Sequence, residues 1–519
     1  MSSAPAKASR APDPRKSLKN QIIVGKDILE LLSTAMYVDP LAVIREYVQN
    51  AADSIDCAYG QGILQPNERG RVEVELDPNG RTLVLRDNGA GIPQSDVERA
   101  LVSFGASAKR GKGLRGFRGV GRLGGLAYAR ELIFRTRSPT DSLVTELHWD
   151  CKELRERLAE SDGRPDLEDV VRRVVHVTRR EPRARENHFF EVRLEGVVRL
   201  WNDRLVNSEE VRKYLAQVCP LPFHPSFRFG NEIGAFLSNY MMARHLDIRM
   251  NDSEPLTRPH VAEFAVSATK RDRFTEWQPI ELPGLSDGPA AVGWILHHSY
   301  LGALKGSPEI RGLRARSGDI QVGDGELFTK SFPETRFNSW VVGEIHVLDP
   351  RLRPNGRRDS FEQNFAFATL LNELLPTCRD LAQRCRSSSA IRSRVRAFEE
   401  SEKQANQWLR ALSVRVPGGK SRSSLLKALD DVLERMIQLS AIPTLKQQVA
   451  EDFQRRVKRL AARKKRILAL PAKSLAVLSP RKRRLYREVA GLIKACAPSK
   501  QLASTLLDKI ADRLARQRN

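Results

Sequence analysis

The chain has 519 residues, too many for one hydrophobic core, and length alone sets an expectation of about three domains. Apolar residues make up 41% of it, which excludes global disorder, and a formal net charge of +24 favours a polyanionic partner: nucleic acid, an anionic membrane or an acidic protein. Six cysteines with no CxxC pair and no zinc-spaced Cys/His cluster argue against a disulfide framework or a zinc site. They fit a reducing compartment, so the cytoplasm is the expected location, and no apolar run is long enough to suggest a membrane span.

Residues 1–19 are basic and rich in Pro, Ser and Ala, without the apolar stretch of a secretory signal, and read as a flexible tail. Helical periodicity follows from 27 to about 59, carried by Ile28, Leu31 and Leu32 and then by Val43, Ile44, Tyr47, Val48 and Ala51. Asp39-Pro40 interrupts it and starts a second helix. Residues 71–76 and 82–86 alternate as strands around the turn Pro78-Asn79-Gly80, and a short helix is expected at 95–103. The stretch 104–125 is dominated by Gly, Arg and Lys, a long loop of the kind that carries function. A helix at 123–130 and strands at 132–137, 143–149 and 189–194 complete the pattern of an α+β sandwich, one mixed sheet with helices on one face.

Past residue 200 a second α/β region is expected, with helices at 208–218 and 361–384 and strands at 261–267, 291–297 and 340–347. From 386 the chain turns Ser-, Arg- and Lys-rich, then helical again, with strongly basic tracts at 455–466 and 480–484. The expected organisation is a tail (1–19), a first α/β domain (20–200), an α/β middle domain (201–385), a linker (386–424) and a basic helical region (425–519).

Three segments carry chemistry. In Arg45-Glu46-Tyr47-Val48-Gln49-Asn50-Ala51-Ala52-Asp53, the residues Glu46, Asn50 and Asp53 share one helix face. A carboxamide oxygen there can ligate Mg²⁺ and a carboxylate can deprotonate water; the plainer alternative is a solvated polar face. In Asp87-Asn88-Gly89-Ala90-Gly91 a carboxylate stands at a strand end, where it can accept from an exocyclic amine, and the glycines permit close backbone approach; the alternative is an ordinary turn. From Lys109 through Gly116, Gly119, Val120 and Gly121, glycines free backbone N–H groups for phosphate oxygens, although no GxxxxGK[ST] is present.

In this order and spacing the three segments resemble the GHKL ATPase superfamily (gyrase, heat-shock-90 chaperone, histidine kinase, MutL), over residues 20–195 and closest in layout to the heat-shock-90 group. The resemblance implies a Bergerat-type α/β sandwich binding ATP and Mg²⁺. It implies Glu46 as general base, Asn50 on the metal, Asp53 on the same helix face, and Asp87 on the adenine amine with Gly89 and Gly91. The lid of Lys109, Gly116, Gly119, Val120 and Gly121 would wrap the phosphates. The family's Gly-Thr before a late strand is replaced by Asn187-His188. The segment Pro354-Asn355-Gly356-Arg357-Arg358 resembles the middle-domain loop that brings an arginine to the γ-phosphate, with Arg358 in register and Arg357 as the fallback; the alternative is an exposed basic turn. Thr269-Lys270 is a weaker candidate for a phosphate-sensing lysine. The resemblance implies a homodimeric, ATP-gated clamp acting on protein clients. The basic carboxy-terminal helices suggest instead a nucleic-acid-associated clamp of the MutL or microrchidia kind. A histidine kinase is disfavoured, because no histidine precedes Glu46.

Overall fold

The computed structural model describes residues 39–103, 121–159, 167–184, 186–199, 203–242, 244–285, 287–413, 422–441, 447–469 and 479–516. The helical pattern expected at 27–38 and the lid positions Lys109, Gly116, Gly119 and Val120 lie outside them. The chain divides into two compact units, one holding residues up to 299 and 303–382, the other 300–302 and 383 onward.

The first unit opens with α1 (Leu41–Gly60). The Asp39 carboxylate accepts the Leu41 N–H at 3.1 Å, and Pro40 has no N–H to leave unsatisfied in the first turn. Leu41, Ile44, Val48, Ala51 and Ile55 recur at helical spacing and are all buried. At the far end the Gln61 N–H bonds back to the Cys57 carbonyl and Gly62 takes φ +71°, a left-handed residue that stops the helix. Strands β1 (Arg71–Asp77) and β2 (Thr82–Asp87) form the expected hairpin, pairing Val72 with Asp87 and Asp77 with Thr82. A single turn and α2 (Val97–Val102) follow. Beyond the lid, Gly121–Ala127 coils as a 3-10 helix where an ordinary helix over 123–130 was expected. Gly121, Gly124 and Gly125 weaken the wider helical turn, while Leu123 and Leu126 still bury.

Strands β3 (Glu131–Arg137) and β4 (Val144–Asp150), helices α3 (Cys151–Ala159) and α4 (Leu167–Val174), and strands β5 (Val175–Arg180) and β6 (Phe189–Glu195) follow. Helices α5 (Ser208–Val218) and α6 (Gly230–Ser238) then lead to β7 (Asp247–Met250). The seven strands make one mixed sheet in the order β5-β4-β3-β6-β2-β1-β7, antiparallel except for β1 with β7. One face packs on α1 and its neighbours through Val72, Val74, Leu83, Leu85, Leu132, Phe134, Val192 and Leu194. The other carries a cross-strand charge ladder, Arg86–Glu191 at 3.3 Å and Arg135–Glu146 at 2.6 Å. The core does not stop at residue 200: Val211, Leu215, Ile248 and Met250 belong to it, and the seventh strand lies beyond that position.

The rest of the first unit holds the hairpin β8 (Glu263–Ser267) and β9 (Lys270–Arg273) and five further strands: β10 (Glu276–Pro283), β11 (Pro289–His297), β12 (Gly312–Ser317), β13 (Ile320–Val322) and β14 (Val342–Val347). Their sheet has the order β10-β11-β14-β12-β13. Helix α7 (Phe365–Ser413) runs through the stretch 386–413, which reads as a linker by composition. Ile391, Val395, Phe398, Ala405 and Leu409 are spaced by three or four residues, or by a full heptad, and bury there.

In the second unit, α7 from residue 383, α8 (Arg422–Ser440) and α9 (Gln447–Ala469) share a core of Phe398, Leu409, Leu429, Met436, Phe453 and Leu460. The rings of Phe398 and Phe453 stack with centroids 3.7 Å apart. Helices α10 (Pro480–Cys496) and α11 (Lys500–Arg516) complete it. The whole is mixed α/β with a helical carboxy-terminal region. No helix among the described residues is long and apolar enough to cross a membrane.

Candidate functional site

The polar stripe of α1 is not a solvated face. Glu46 is 7% exposed, Gln49 0% and Asp53 2%, and Asn50 is half-buried. A soluble protein tolerates carboxylates at that depth only when they are paired or put to use. Gly121 closes over the first of them: a Cβ at that position would come within 2.3 Å of Glu46 Oε2. Four residues on, a Cβ at Gly125 would meet the Tyr47 hydroxyl at 2.4 Å, so both glycines let the Gly121–Ala127 segment lie directly on α1. Burial pushes the Tyr47 hydroxyl far above its ordinary range. Arg122, between them, donates to the Ser103 carbonyl at 3.2 Å.

Asp87 ends β2 between β1 and β6, on the core face with Leu83 and Leu85, and is 2% exposed. Its Oδ1 accepts the Gly89 N–H at 2.8 Å, which shapes the loop that follows. That loop is held from three sides. The Ala90 N–H donates to the Ser54 carbonyl of α1 at 3.2 Å. The Ile92 N–H donates to Thr136 Oγ1 on β3 at 2.7 Å, and the same hydroxyl donates to the Phe189 carbonyl at 3.1 Å. His188 Nδ1 lies 2.8 Å from the Gly89 carbonyl. Gly91 has φ +66° and a Cβ there would meet the Arg137 carbonyl at 2.2 Å, so no other residue fits without moving β3. The Asn187-His188 departure therefore falls on the loop itself, because β6 starts beside the end of β2.

Arg358 reaches the same place from the middle region. Its Nε stands 3.0 Å from Glu46 Oε1, and the residue is 6% exposed, not an exposed basic turn. The loop that presents it is closed by a bridge between Pro354 and Phe361, with the Asn355 N–H on the Ser360 carbonyl at 2.8 Å. Arg358 takes φ +56°, an unfavourable conformation for a side-chain-bearing residue, held by its surroundings. Its carbonyl accepts the Gly323 N–H at 2.8 Å. Arg45, the residue before Glu46, donates to the Arg357 carbonyl at 3.1 Å and the Arg358 carbonyl at 3.4 Å. Arg357 itself is exposed and lines a cleft of about 530 Å³ between α1, α5 and the 321–324 and 357–359 segments, with Arg45 but not Glu46 in its wall. Lys270 opens β9 on an exposed hairpin.

Glu46, Asn50, Asp53, Asp87, Gly89, Gly91 and Gly121 thus lie on two adjoining elements and the end of a third, with Arg358 arriving from a fourth. Sequence reasoning missed Arg45, Arg122 and Thr136. Thr136 had a signal, since it lies on the inward register of its strand between Phe134 and Ser138; Arg45 and Arg122 had none beyond adjacency to predicted site residues. No group of three or more His, Cys, Asp or Glu side chains converges as a metal site among the described residues. A magnesium ion bound with a nucleotide takes most of its ligands from phosphate and water, so one carboxamide from Asn50 fits that donor set.

Residues 38–171 match the family described as histidine kinase-, DNA gyrase B- and HSP90-like ATPase. Over that stretch the chain is similar to the GHKL ATPases. Among curated proteins, the chain is 26% identical over 164 residues to the chaperone protein HtpG of Fusobacterium nucleatum, covering 28% of this chain and 25% of that one. To HtpG of Enterobacter sp. strain 638 it is 23% identical over 207 residues, 36% of this chain and 32% of the relative. To HtpG of Idiomarina loihiensis it is 26% identical over 202 residues, 35% and 30% of the two chains. The matches span no more than about a third of the relatives' length. The matched stretch is thus accompanied by further residues that these relatives do not account for.

Proposed function

We propose that this protein binds and hydrolyses ATP at the Glu46–Asp87–Gly121 site and works as a cytoplasmic, homodimeric, ATP-gated clamp of the heat-shock-90 kind, acting on protein clients. The observation that carries the proposal is the meeting of Arg358 with Glu46 at 3.0 Å, which joins a cation from the middle region to a buried carboxylate on the ATPase helix. The GHKL-type match and the similarity to HtpG chaperones support the same reading.

In this mechanism Asp87 accepts the adenine amine, with Gly89 and Gly91 allowing the base to approach the backbone. Lys109 and the backbone of Gly116, Gly119, Val120 and Gly121 surround the phosphates. Asn50 would hold Mg²⁺ through its amide oxygen, and the ion would supply charge neutralisation of the phosphates. Asp53, further along the same face, orients the polar groups around it. Glu46 takes a proton from the attacking water. Arg358 offers its guanidinium to the charge that grows on the transferred phosphoryl group. Because the arginine belongs to the middle region, its engagement couples nucleotide state to the arrangement of the chain.

The test is steady-state hydrolysis alongside binding of a fluorescent ATP analogue. Glu46→Gln and Arg358→Ala are each expected to lower kcat by about 100-fold or more while nucleotide affinity changes only a few-fold. Hydrolysis that survives in Glu46→Gln would remove the base assignment. Light scattering of the intact protein and suppression of client aggregation with and without ATP test the dimer and the clients.

A further inference from the structure

Helix α9 carries eight basic residues and two acidic ones, and the structure sorts them by role. Two face inward. Arg456 is half-buried and pairs with Glu402 of α7 at 3.1 Å and with Asp452 at 3.0 Å, and Lys464 pairs with Asp430 of α8. These pin the helix to its neighbours beside the apolar contact of Phe453, Val457 and Leu460. On the opposite side Lys458, Arg459, Lys465 and Arg466 are exposed and make no ion pair among the described residues. Each member of the pairs 458/465 and 459/466 lies seven residues from the other, nearly two full turns, so the four cations stand in two rows about 10 Å long. Ala462, exposed, lies between the rows and leaves the helix backbone approachable. A solvated helix face usually alternates its charges, as α4 does with Arg172 on Glu168; past Asp452 this one carries no acid.

We infer that this face of α9 is a docking surface for the phosphate backbone of duplex DNA. Four unpaired cations on a rigid scaffold suit a regular polyanion, and the arginines can grip phosphate oxygens in pairs. The helix, about 10–12 Å across, matches the width of a B-form major groove, whereas the deep, narrow major groove of A-form RNA does not admit it. Insertion into a bilayer would need an apolar face, and that of α9 is already covered by α7 and α8. The inference is independent of the ATP reading: none of these residues belongs to the first unit.

The experiment is fluorescence anisotropy of a labelled 30-base-pair duplex titrated with the full chain at several salt concentrations, with duplex RNA and anionic vesicles as parallel arms. Four phosphate contacts predict a slope of log K against log salt of about −3.6, a loss of roughly 150-fold in affinity between 50 and 200 mM. The double variant Arg459→Ala/Arg466→Ala is expected to reduce that slope by about 2, with its ATPase rate and circular dichroism unchanged. The single variant Arg172→Ala, an exposed arginine of the first unit, is expected to leave the slope alone. An unchanged slope in the double variant, no binding by the wild type, or tighter binding to RNA or vesicles than to DNA would each overturn the inference.

Discussion

At the scale of single residues, the site depends on what is missing from Gly121. The glycine has no side chain, so the Glu46 carboxylate can rest against its backbone, and an added methyl would arrive 2.3 Å from Oε2. The carboxylate is the movable end of a flexible side chain, so it would yield and the fold would not. Gly121→Ala is therefore expected to cost under about 1 kcal/mol of stability and, with Glu46 as the proposed base, to lower kcat by about 10- to 100-fold, because a displaced carboxylate loses its alignment with water. Hydrolysis rates beside urea unfolding curves read both quantities. A fall in stability with kcat preserved would mean that Glu46 does not need the position in which it is found. Arg45 belongs to the same argument. Its guanidinium holds two carbonyls of the loop that carries Arg358.

At the scale of elements, the Asp87–Gly91 loop shows how three structures share one task. Helix α1 takes Ala90, strand β3 takes Ile92 through Thr136, and the segment before β6 takes Gly89 through His188. Removing one of three anchors loosens the loop without emptying it. His188→Ala is expected to weaken ATP-analogue binding by about fivefold, the equivalent of one hydrogen bond, and to leave kcat at saturating ATP within a factor of two. A lost kcat with unchanged binding would assign His188 to the chemistry instead. The sequence makes much of this legible and some of it not. The Asp39-Pro40 start of α1, the β1–β2 hairpin and the run Glu46, Asn50, Asp53 follow from local rules, because each depends on residues within a few positions. The burial of that polar run does not, since a helix wheel shows only that one face is polar. Strand β7 escapes notice because four residues, Asp247–Met250, are too few to show alternation, and its place depends on pairing with β1, about 175 residues earlier. Along 386–413, serines and arginines mask an apolar stripe that becomes visible only when read at heptad spacing.

At the scale of the whole molecule, the middle region hides a charge cluster that makes its stability depend on pH. Arg258 bonds to Glu344 and lies 2.7 Å from Asp319; Arg316 stands 2.8 Å from Glu344, and all four are buried. Arg316 also donates to the Gln217 carbonyl at 2.7 Å and Arg258 to the Leu221 carbonyl at 2.8 Å, tying β12 and the segment before β8 to the end of α5. Burial would raise both carboxyls, but the two guanidinium groups outweigh it and hold Asp319 below, and Glu344 well below, the usual carboxylate range. Next to them His260 is packed among Phe223, Phe227 and Trp294, and burial drives its pKa down to about 3. The unfolded chain would protonate that imidazole near pH 6.5. Between those two values the unfolded state holds a proton that the folded state refuses, so stability falls as pH falls, by about 1.4 kcal/mol per pH unit. The carboxyls add their loss lower, once pH drops below about 4, where the unfolded chain takes up protons that the ion pairs exclude. Acid should thus act in two stages, His260 first. With two compact units in the chain a single unfolding free energy is poorly defined, so the comparison is made between variants. His260→Phe keeps an aromatic ring in the pocket and removes the proton. Urea unfolding followed by tryptophan fluorescence at pH 7 and at pH 5 should show wild type losing about 2 kcal/mol more than the variant. Equal losses would mean that His260 is reached by water in the folded state, and that the aromatic pocket around it opens well below the cost of unfolding the sheet beneath.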